Sequence, residues 1–133
     1  RGDQARQEDS RRSQLLQAAR ESAVNLTTID WKRAEADVQR IMDGATGEFY
    51  DDFMQRAEPF IDVVKKYRSV SVGTVAEAAL ESESGEQAQA LVSVTVDTTN
   101  PDGSEQVPRA WRLRISVQRV GDEFKVSNVE FVP

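Results

Sequence analysis

The chain has 133 residues, a size typical of one domain with one hydrophobic core. Its 38% hydrophobic and 30% charged residues describe an ordinary globular domain and argue against disordered and membrane-spanning classes. A formal net charge of -6 repels phosphate backbones, so no nucleic acid partner is expected. The sequence has no cysteine and no histidine, which removes disulfides, thiol catalysis and the commonest proton-transfer side chain.

The first predicted element is a long helix from Asp3 to Leu26, a stretch without proline or glycine. The residues through Arg12 are almost all polar, so nothing there can pack, and residues 1–12 are expected to project or fray. The chain begins at Arg1 without a methionine, which leaves open a trimmed chain with an N-terminal anchor upstream. The apolar residues of the helix recur at helical spacing: Leu15, Ala19, Ala23 and Leu26.

A second helix is predicted after Asp30, whose carboxylate can accept hydrogen bonds from the free amides of the first turn. Gly44 should end this helix in the left-handed conformation, which glycine adopts without a steric cost. Its apolar stripe is Trp31, Ala34, Val38, Ile41 and Met42.

A third helix should begin at Thr46 as the capping residue, and its early acidic residues suit the positive end of the helix dipole. The apolar phase continues across Pro59, which predicts a kink or a short break there. Phe53 lies midway along the stripe, and its truncation to alanine is expected to cost about 3 to 5 kcal/mol. The stripe comprises Phe49, Phe53, Ala57, Phe60, Ile61 and Val64.

After Arg68 the hydrophobic period changes from helical to two, which indicates β-strands. The inward faces of the first two strands are predicted to be their even-numbered residues, so the hairpin between them needs an odd-length loop. The three residues Glu83-Ser84-Gly85 supply it. The predicted inward residues are Val70, Val72, Thr74, Ala76, Ala78 and Leu80, then Ala88, Ala90, Val92, Val94 and Val96.

The third strand should bury Trp111, Leu113, Ile115 and Val117, and Gly121-Asp122 should form a two-residue turn into the fourth. In that last strand Phe124 and Val126 have one parity while Val129 and Phe131 have the other. An extra residue bulged near Ser127-Asn128 would keep all four inside and curl the sheet.

The fold class predicted from this order is α+β: three N-terminal helices packed on a curved four-stranded antiparallel sheet in a single domain over residues 1–133. Such a bent sheet around helices is the architecture of the cone-shaped ketosteroid-isomerase-like, or nuclear transport factor 2-like, folds.

The helix junction resembles the signature of actinobacterial Mce-associated membrane proteins, where Mce stands for mammalian cell entry. The resemblance rests on the segment from Asp37 to Phe53, which contains Gly44-Ala45-Thr46-Gly47 followed by Phe49. The Leu26-Thr27-Thr28-Ile29-Asp30-Trp31 run before it, Val70 to Gly73, and Phe124 to Ser127 also fit the family pattern.

This resemblance implies one transmembrane helix followed by an extracytoplasmic domain of this size and fold at the cell membrane of an actinobacterium. It also implies partners among the Mce proteins of the mycobacterial type of envelope, whose complexes move lipids. It supplies no catalytic residues and no cofactor. The Gly44 to Gly47 motif needs only a structural explanation, since it ends one helix, turns the chain and caps the next.

Three functions stay open. The first hypothesis is a non-enzymatic, membrane-tethered domain that assembles with or stabilises an Mce lipid-import complex. The second is a lipid carrier that holds an acyl chain in the cone, between the candidate cavity residues Phe49, Phe53, Phe60, Trp111 and Phe131. The third is an assembly factor like the similarly folded component of type IV secretion channels.

A candidate partner face is formed by basic residues on the third strand, which could meet an acidic surface or simply protect a solvated sheet face. These residues are Arg109, Arg112, Arg114 and Arg119. Catalysis is not expected, because the candidate acids Glu48, Asp51 and Asp52 lie where a helix favours acids anyway, and the only tempting hydroxyls beside them are Tyr50 and Tyr67.

Overall fold

The computed structural model describes residues 2–133, and Arg1 lies outside the described residues. Three α-helices precede four long strands, and a short strand and a 3-10 helix lie between the first two α-helices. The elements in chain order are α1 Gly2–Thr27, β1 Ile29–Asp30, the 3-10 helix Trp31–Arg33, α2 Ala34–Asp43, α3 Gly47–Lys66, β2 Val70–Ser84, β3 Gln87–Thr99, β4 Arg109–Val120 and β5 Glu123–Phe131.

The strands form one antiparallel sheet in the order β1-β2-β3-β4-β5. The predicted α+β class with three helices is confirmed, but the predicted number of four strands is wrong because β1 adds a fifth. β1 has only two residues, with Ile29 opposite Ser71 and Asp30 opposite Val70. So short a strand carries no alternation that a sequence pattern can reveal.

Helix α1 crosses the inner face of the sheet and supplies the apolar residues Leu15, Ala19 and Ala23, all with no exposed surface. Its opening turns through Ser10 are exposed, as expected for a projecting start, yet they are helical. The helix is then held to the β2–β3 hairpin: Arg11 Nη1 donates to Gly85 O at 2.6 Å, and Arg12 Nε donates to Glu83 at 2.9 Å.

The second predicted helix begins with one 3-10 turn, which Asp30 caps by accepting a hydrogen bond from Lys32 N at 2.9 Å. The buried Asp37 side chain ties this turn to α2, because its Oδ2 accepts from Asp30 N and its Oδ1 from Arg40 Nη1, both at 2.9 Å. Gly44 does follow the helix, but its φ of -95° is not left-handed. The expected conformation at Gly44 is therefore wrong.

Helix α3 begins after Thr46, which occupies the capping position without a side-chain hydrogen bond to the helix. The helix runs to Lys66 without a break at Pro59. It packs against α2, β5 and the 3-10 helix, and Val64 is its one fully buried residue. The other apolar residues that were predicted to be buried on this helix are therefore only partly covered.

The β2–β3 hairpin differs from its predicted register. β3 buries the expected residues from Ala88 to Val96, but β2 and β3 are joined by two residues, since Ser84 pairs with Gln87. Register shifts within β2, between Val75 and Glu77 and between Leu80 and Ser82, take the place of the odd-length loop. Before the first shift Gly73 is buried and Val72 is exposed, so the predicted inward parity is wrong for that half of the strand.

The β4–β5 hairpin matches its predicted register. Val120 pairs with Glu123 across Gly121-Asp122, and the pairing shifts between Val117–Val126 and Ser116–Asn128, which leaves Ser127 as the bulged residue. Val126 is buried, while Phe124 and Val129 pack partly covered on the core. Phe131, predicted to lie inside, is 70% exposed. The core lies between α1 and the inner faces of β3, β4 and β5, as expected for a sheet that wraps its helices.

Candidate functional site

The Gly44 to Gly47 turn attaches the helices to the sheet. Thr46 N donates to Val126 O at 2.8 Å, and Val126 N donates to Gly44 O at 2.8 Å, so Ala45 forms a parallel bridge with the β5 edge. Gly47 has a φ of +59°, the left-handed conformation that the prediction assigned to Gly44. The turn thus has a mechanical role, with Phe49 following it in the first turn of α3.

The five rings proposed as a cavity lining fall into two groups. On α3 the Phe49 and Phe53 centroids are 6.0 Å apart, and those of Phe53 and Phe60 are 6.1 Å apart. On the sheet, Trp111 and Phe131 meet edge to face at 5.6 Å. The exposure of Phe131 places its ring at the surface rather than around an enclosed space.

One side of α3 instead presents apolar groups to solvent. Phe60 is 37% exposed, Val63 53% and Tyr67 61%, while Phe49 and Phe53 are half-buried beside them. At 100° per residue these positions share one side of the helix. We call this surface the α3 stripe: Phe49, Phe53, Phe60, Val63 and Tyr67. Three of its residues, Phe49, Phe53 and Phe60, were predicted to lie in the interior, and the structure leaves each of them at least partly exposed.

The arginines of the candidate partner face are largely occupied within the chain. Arg114 donates to Glu81 through Nε at 2.7 Å and through Nη2 at 3.2 Å, and to Glu130 at 3.3 Å. These hydrogen bonds lower the pKa of the Glu81 carboxyl and raise the pKa of the Arg114 guanidinium. Paired charges of this kind do not form a free basic patch.

Of the other three arginines, only Arg112 lies on the same side of the sheet as Arg114. Arg112 Nη2 donates to the carbonyl of Pro133, and Arg119 Nε donates to Gly121 O at 2.9 Å with its guanidinium over the Phe124 ring. Arg109 is exposed at the first position of β4. Because side chains alternate along a strand, Arg112 and Arg114 lie on the opposite side of the sheet from Arg109 and Arg119.

The larger open grooves lie elsewhere. One of about 600 Å³ lies beside α1 and is bordered by Arg20, Glu21 and Arg40 with the start of β2. Another of about 590 Å³ lies over β2 and β3 near Glu77, Leu91 and Arg112. Neither is lined by any of the five candidate cavity residues. These two grooves are therefore separate from the aromatic cavity that was proposed to hold a lipid.

The acidic candidates lie along the surface of α3. Glu48, Asp51 and Asp52 are exposed, and Tyr67 ends the helix on the stripe, about 25 Å from Tyr50 at 1.5 Å per residue. Among residues 2–133, no three histidine, cysteine, aspartate or glutamate side chains are placed to share a metal ion. Within that same range, no helix is long and apolar enough to cross a bilayer.

Solved structures share this fold over most of their length. An IcmL-like type IV secretion system protein from Legionella pneumophila has a TM-score of 0.73 and 19% identity, covering 92% of each chain. The periplasmic domain of DotI has a TM-score of 0.75 and 16% identity, covering 91% of this chain and 94% of its own. CagV, a VirB8 homolog from Helicobacter pylori, has a TM-score of 0.66 and 11% identity, covering 90% and 97%. These similarities show the nuclear transport factor 2-like fold.

Sequence comparison gives the family. The family described as "Uncharacterized protein Rv1363c/MT1408-like" matches residues 1–133. The relative "Uncharacterized protein Rv1363c" from Mycobacterium tuberculosis is 41% identical over 130 residues, or 98% of this chain. The chain spans about half the length of that relative, 50%. The chain belongs to the Rv1363c/MT1408-like family.

Proposed function

We propose that this chain is a non-enzymatic, extracytoplasmic accessory domain that acts through protein contacts in an assembly of the cell envelope. The observation that carries the proposal is the contrast between a packed interior and the exposed α3 stripe. A carrier needs an apolar cavity for its ligand, whereas an assembly domain needs an apolar surface for its partner.

The structural neighbours support the location and the general role. The similar structures include the periplasmic domain of DotI and a periplasmic fragment of TraM, and CagV is described as a VirB8 homolog of a type IV secretion system. At 16% identity or less they support an analogy of architecture, from which the assembly role and the extracytoplasmic side are inferred. A tether through an upstream transmembrane helix, as in membrane-anchored assembly proteins, completes the proposal.

The assembly that we propose is an Mce lipid-import complex, which this domain would join or stabilise. The support is the resemblance of the segment from Asp37 to Phe53 to Mce-associated membrane proteins, together with a mycobacterial relative. In the structure this segment includes the turn that attaches the helices to β5, so it accounts for the shape of the domain that carries the α3 stripe.

The second candidate is an assembly factor for a secretion channel, which the fold similarity favours. The two candidates differ in the proteins that accompany the domain. Affinity purification of the full-length anchored protein from its native membrane separates them, because the first predicts Mce subunits in the eluate and the second predicts secretion-channel subunits.

Deletion of the domain from the native protein tests the assembly role itself. We expect the abundance of the transport complex to fall, as measured by quantitative immunoblotting or mass spectrometry of membranes. Val63→Asp should have the same effect because it places a charge in the α3 stripe. Met54→Asp is the matched control, since Met54 is equally exposed at 56% on another side of α3.

Normal complex levels with failed lipid uptake would overturn the assembly role in favour of lipid carriage. Equal effects of Val63→Asp and Met54→Asp would remove the α3 stripe as the contact surface.

A further inference from the structure

We infer that the α3 stripe binds the α3 stripe of a second copy of this chain, with the two helices antiparallel about a twofold axis. This inference deepens the proposed function, since it rests on the α3 stripe being a protein-binding surface and names the partner there. Three features of the helix carry it: the extent of the stripe, the charge gradient along it and its register.

The α3 stripe runs nearly the whole length of the helix. Phe49 and Tyr67 are its ends, so it extends over 18 residue steps, or about 27 Å at 1.5 Å per residue. A surface of this shape fits another helix, whose apolar side chains can lie along it at i, i+3, i+4 and i+7 spacings.

The charges along α3 are arranged with opposite signs at its two ends. Glu48, Asp51 and Asp52 lie near the start, and Lys65 and Lys66 lie at the end. Two parallel copies would place like charges side by side, which is unfavourable. Two antiparallel copies place the acidic end of each helix beside the basic end of the other, which is the complementarity that a contact surface requires.

Asp52 and Lys66 are the oppositely charged residues of this gradient that the antiparallel contact brings together, and Lys66 Nζ also lies 5.5 Å from the centroid of its own chain's Tyr67 ring. Both are exposed on the same flank of the α3 stripe, and neither makes an ion pair with another residue of the described chain. Lys65, in contrast, already pairs with Glu35. A twofold axis between antiparallel helices places the same flank of both helices on one side of the contact. Asp52 of each copy therefore lies beside Lys66 of the other, which gives two equivalent ion pairs.

The register also matches the apolar groups. If the twofold axis crosses the contact at the level of residue 58 along α3, two residues lie opposite one another when their numbers add to 116. Phe49 then faces the second copy's Tyr67, and Phe53 faces its Val63. Arg56 lies on the same side of α3, between Phe53 and Phe60. It faces the second copy's Phe60, an arrangement that favours a cation–π contact. A twofold contact needs such self-complementarity, because each surface must serve as its own partner.

A single-helix contact lies at the small end of specific interfaces, so we expect a reversible dimer with a dissociation constant in the micromolar range. Sedimentation equilibrium of the 133-residue chain across that range should show the dimer. The chain is suited to this test because it contains its own hydrophobic core and a continuous five-stranded sheet.

Two charge reversals test the orientation. Asp52→Lys gives this flank two lysines, and Lys66→Asp gives it two aspartates, so each variant should have a dissociation constant raised by about tenfold or more. An equimolar mixture of the two variants should recover dimerisation, since both contacts then join opposite charges. The double variant should also dimerise, because its charges are exchanged in both copies.

The matched control is Glu58→Lys, which makes the same change of charge at an exposed position on the side of α3 opposite the α3 stripe. Circular dichroism verifies that each variant is folded, and recovery in the mixture excludes misfolding as the cause of any loss. A monomer at all concentrations, a mixture that stays monomeric, or a Glu58→Lys variant as impaired as Asp52→Lys would each overturn the inference.

The outcome also separates this inference from the proposed function. If the chain stays monomeric while Val63→Asp still lowers complex abundance, the α3 stripe binds a different protein and the proposed function stands. If the dimer forms as described while deletion of the domain leaves complex levels normal, the self-association stands and the assembly role does not.

Discussion

Gly73 and Thr27 are in such close contact that a Cβ atom on Gly73 would lie 1.7 Å from Thr27 Oγ1 and 2.7 Å from Thr27 Cβ. The same junction is held by polar contacts. Gly73 N donates to Thr28 Oγ1 at 3.0 Å, and Ser71 Oγ donates to Thr27 O at 3.0 Å. The end of α1 is therefore fixed on β2 at the one position where the strand has no side chain.

Gly73→Ala should destabilise the domain by about 3 kcal/mol, because the new methyl group can fit only if α1 moves away from β2. Chemical denaturation of both proteins measures the difference. Gly44→Ala is the matched control, since its Cβ would be 3.9 Å from the nearest atom and its φ is ordinary, and we expect a change below about 1 kcal/mol. Similar losses in the two variants would show that the junction is not tightly packed.

The sequence pattern predicts the strands well where one rule acts alone. The alternation in β3 and β4 identifies their inner faces, and the change of parity between Val126 and Val129 locates the bulge at Ser127. In β2 two effects combine: the approach of α1 turns Gly73 inward, and the register shift after Val75 then reverses the parity. A glycine has no hydrophobicity to mark it as buried, so the pattern assigned Val72 to the core instead.

Leu15→Ala should destabilise the domain more than Phe53→Ala, although phenylalanine has the larger side chain. Leu15 has no exposed surface, so its truncation should cost about 3 to 4 kcal/mol through lost burial and the cavity left behind. Phe53 is half-buried on α3, and the structure lowers its expected cost to about 1 to 2 kcal/mol. Denaturation of both variants at low protein concentration, where the chain is monomeric, measures these costs. A larger loss for Phe53→Ala would mean that α3 is buried more deeply.

The site was less accessible to sequence analysis than the fold. A helical stripe such as Phe49, Phe53 and Phe60 predicts only that one side of α3 is apolar, and core packing is the usual reason for it. Whether neighbours cover that side depends on how the helix is placed, and α3 meets little beyond α2, β5 and the 3-10 helix. Likewise, the outward parity of Arg114 predicts exposure but not its ion pairs with Glu81 and Glu130.

Glu81→Gln should reduce stability at neutral pH and have less effect in acid. Hydrogen bonds from Arg114 lower the pKa of Glu81 in the folded chain, so its carboxylate stabilises the fold above the unfolded value near 4.5. That contribution is lost as the pH falls through the lowered folded pKa. Denaturation at several pH values should therefore show the two proteins converging below about pH 4.5.

Glu58→Gln is the control for this pH series, because Glu58 is an exposed carboxylate that makes no ion pair with the rest of the described chain. Its difference from the parent protein should stay small throughout. A constant gap between the Glu81→Gln variant and the parent protein down to pH 3 would mean that the ion pair does not form in solution. High salt should narrow the gap at neutral pH, since the pair is partly exposed to solvent.

Gly47→Ala should loosen the attachment of the helices to β5. Gly47 has a φ of +59°, and no atom lies within 4 Å of an added Cβ, so the cost is backbone strain of about 1 to 2 kcal/mol rather than a clash. The strain acts next to Thr46 N and Val126 N, whose hydrogen bonds hold the turn on the strand.

Amide hydrogen exchange at these two groups should therefore accelerate more than at Ile115, in the centre of β4. Gly44→Ala lies in the same turn without a left-handed φ and should leave both rates nearly unchanged. Uniform acceleration across the sheet in the Gly47→Ala variant would mean that the turn opens only when the whole domain unfolds.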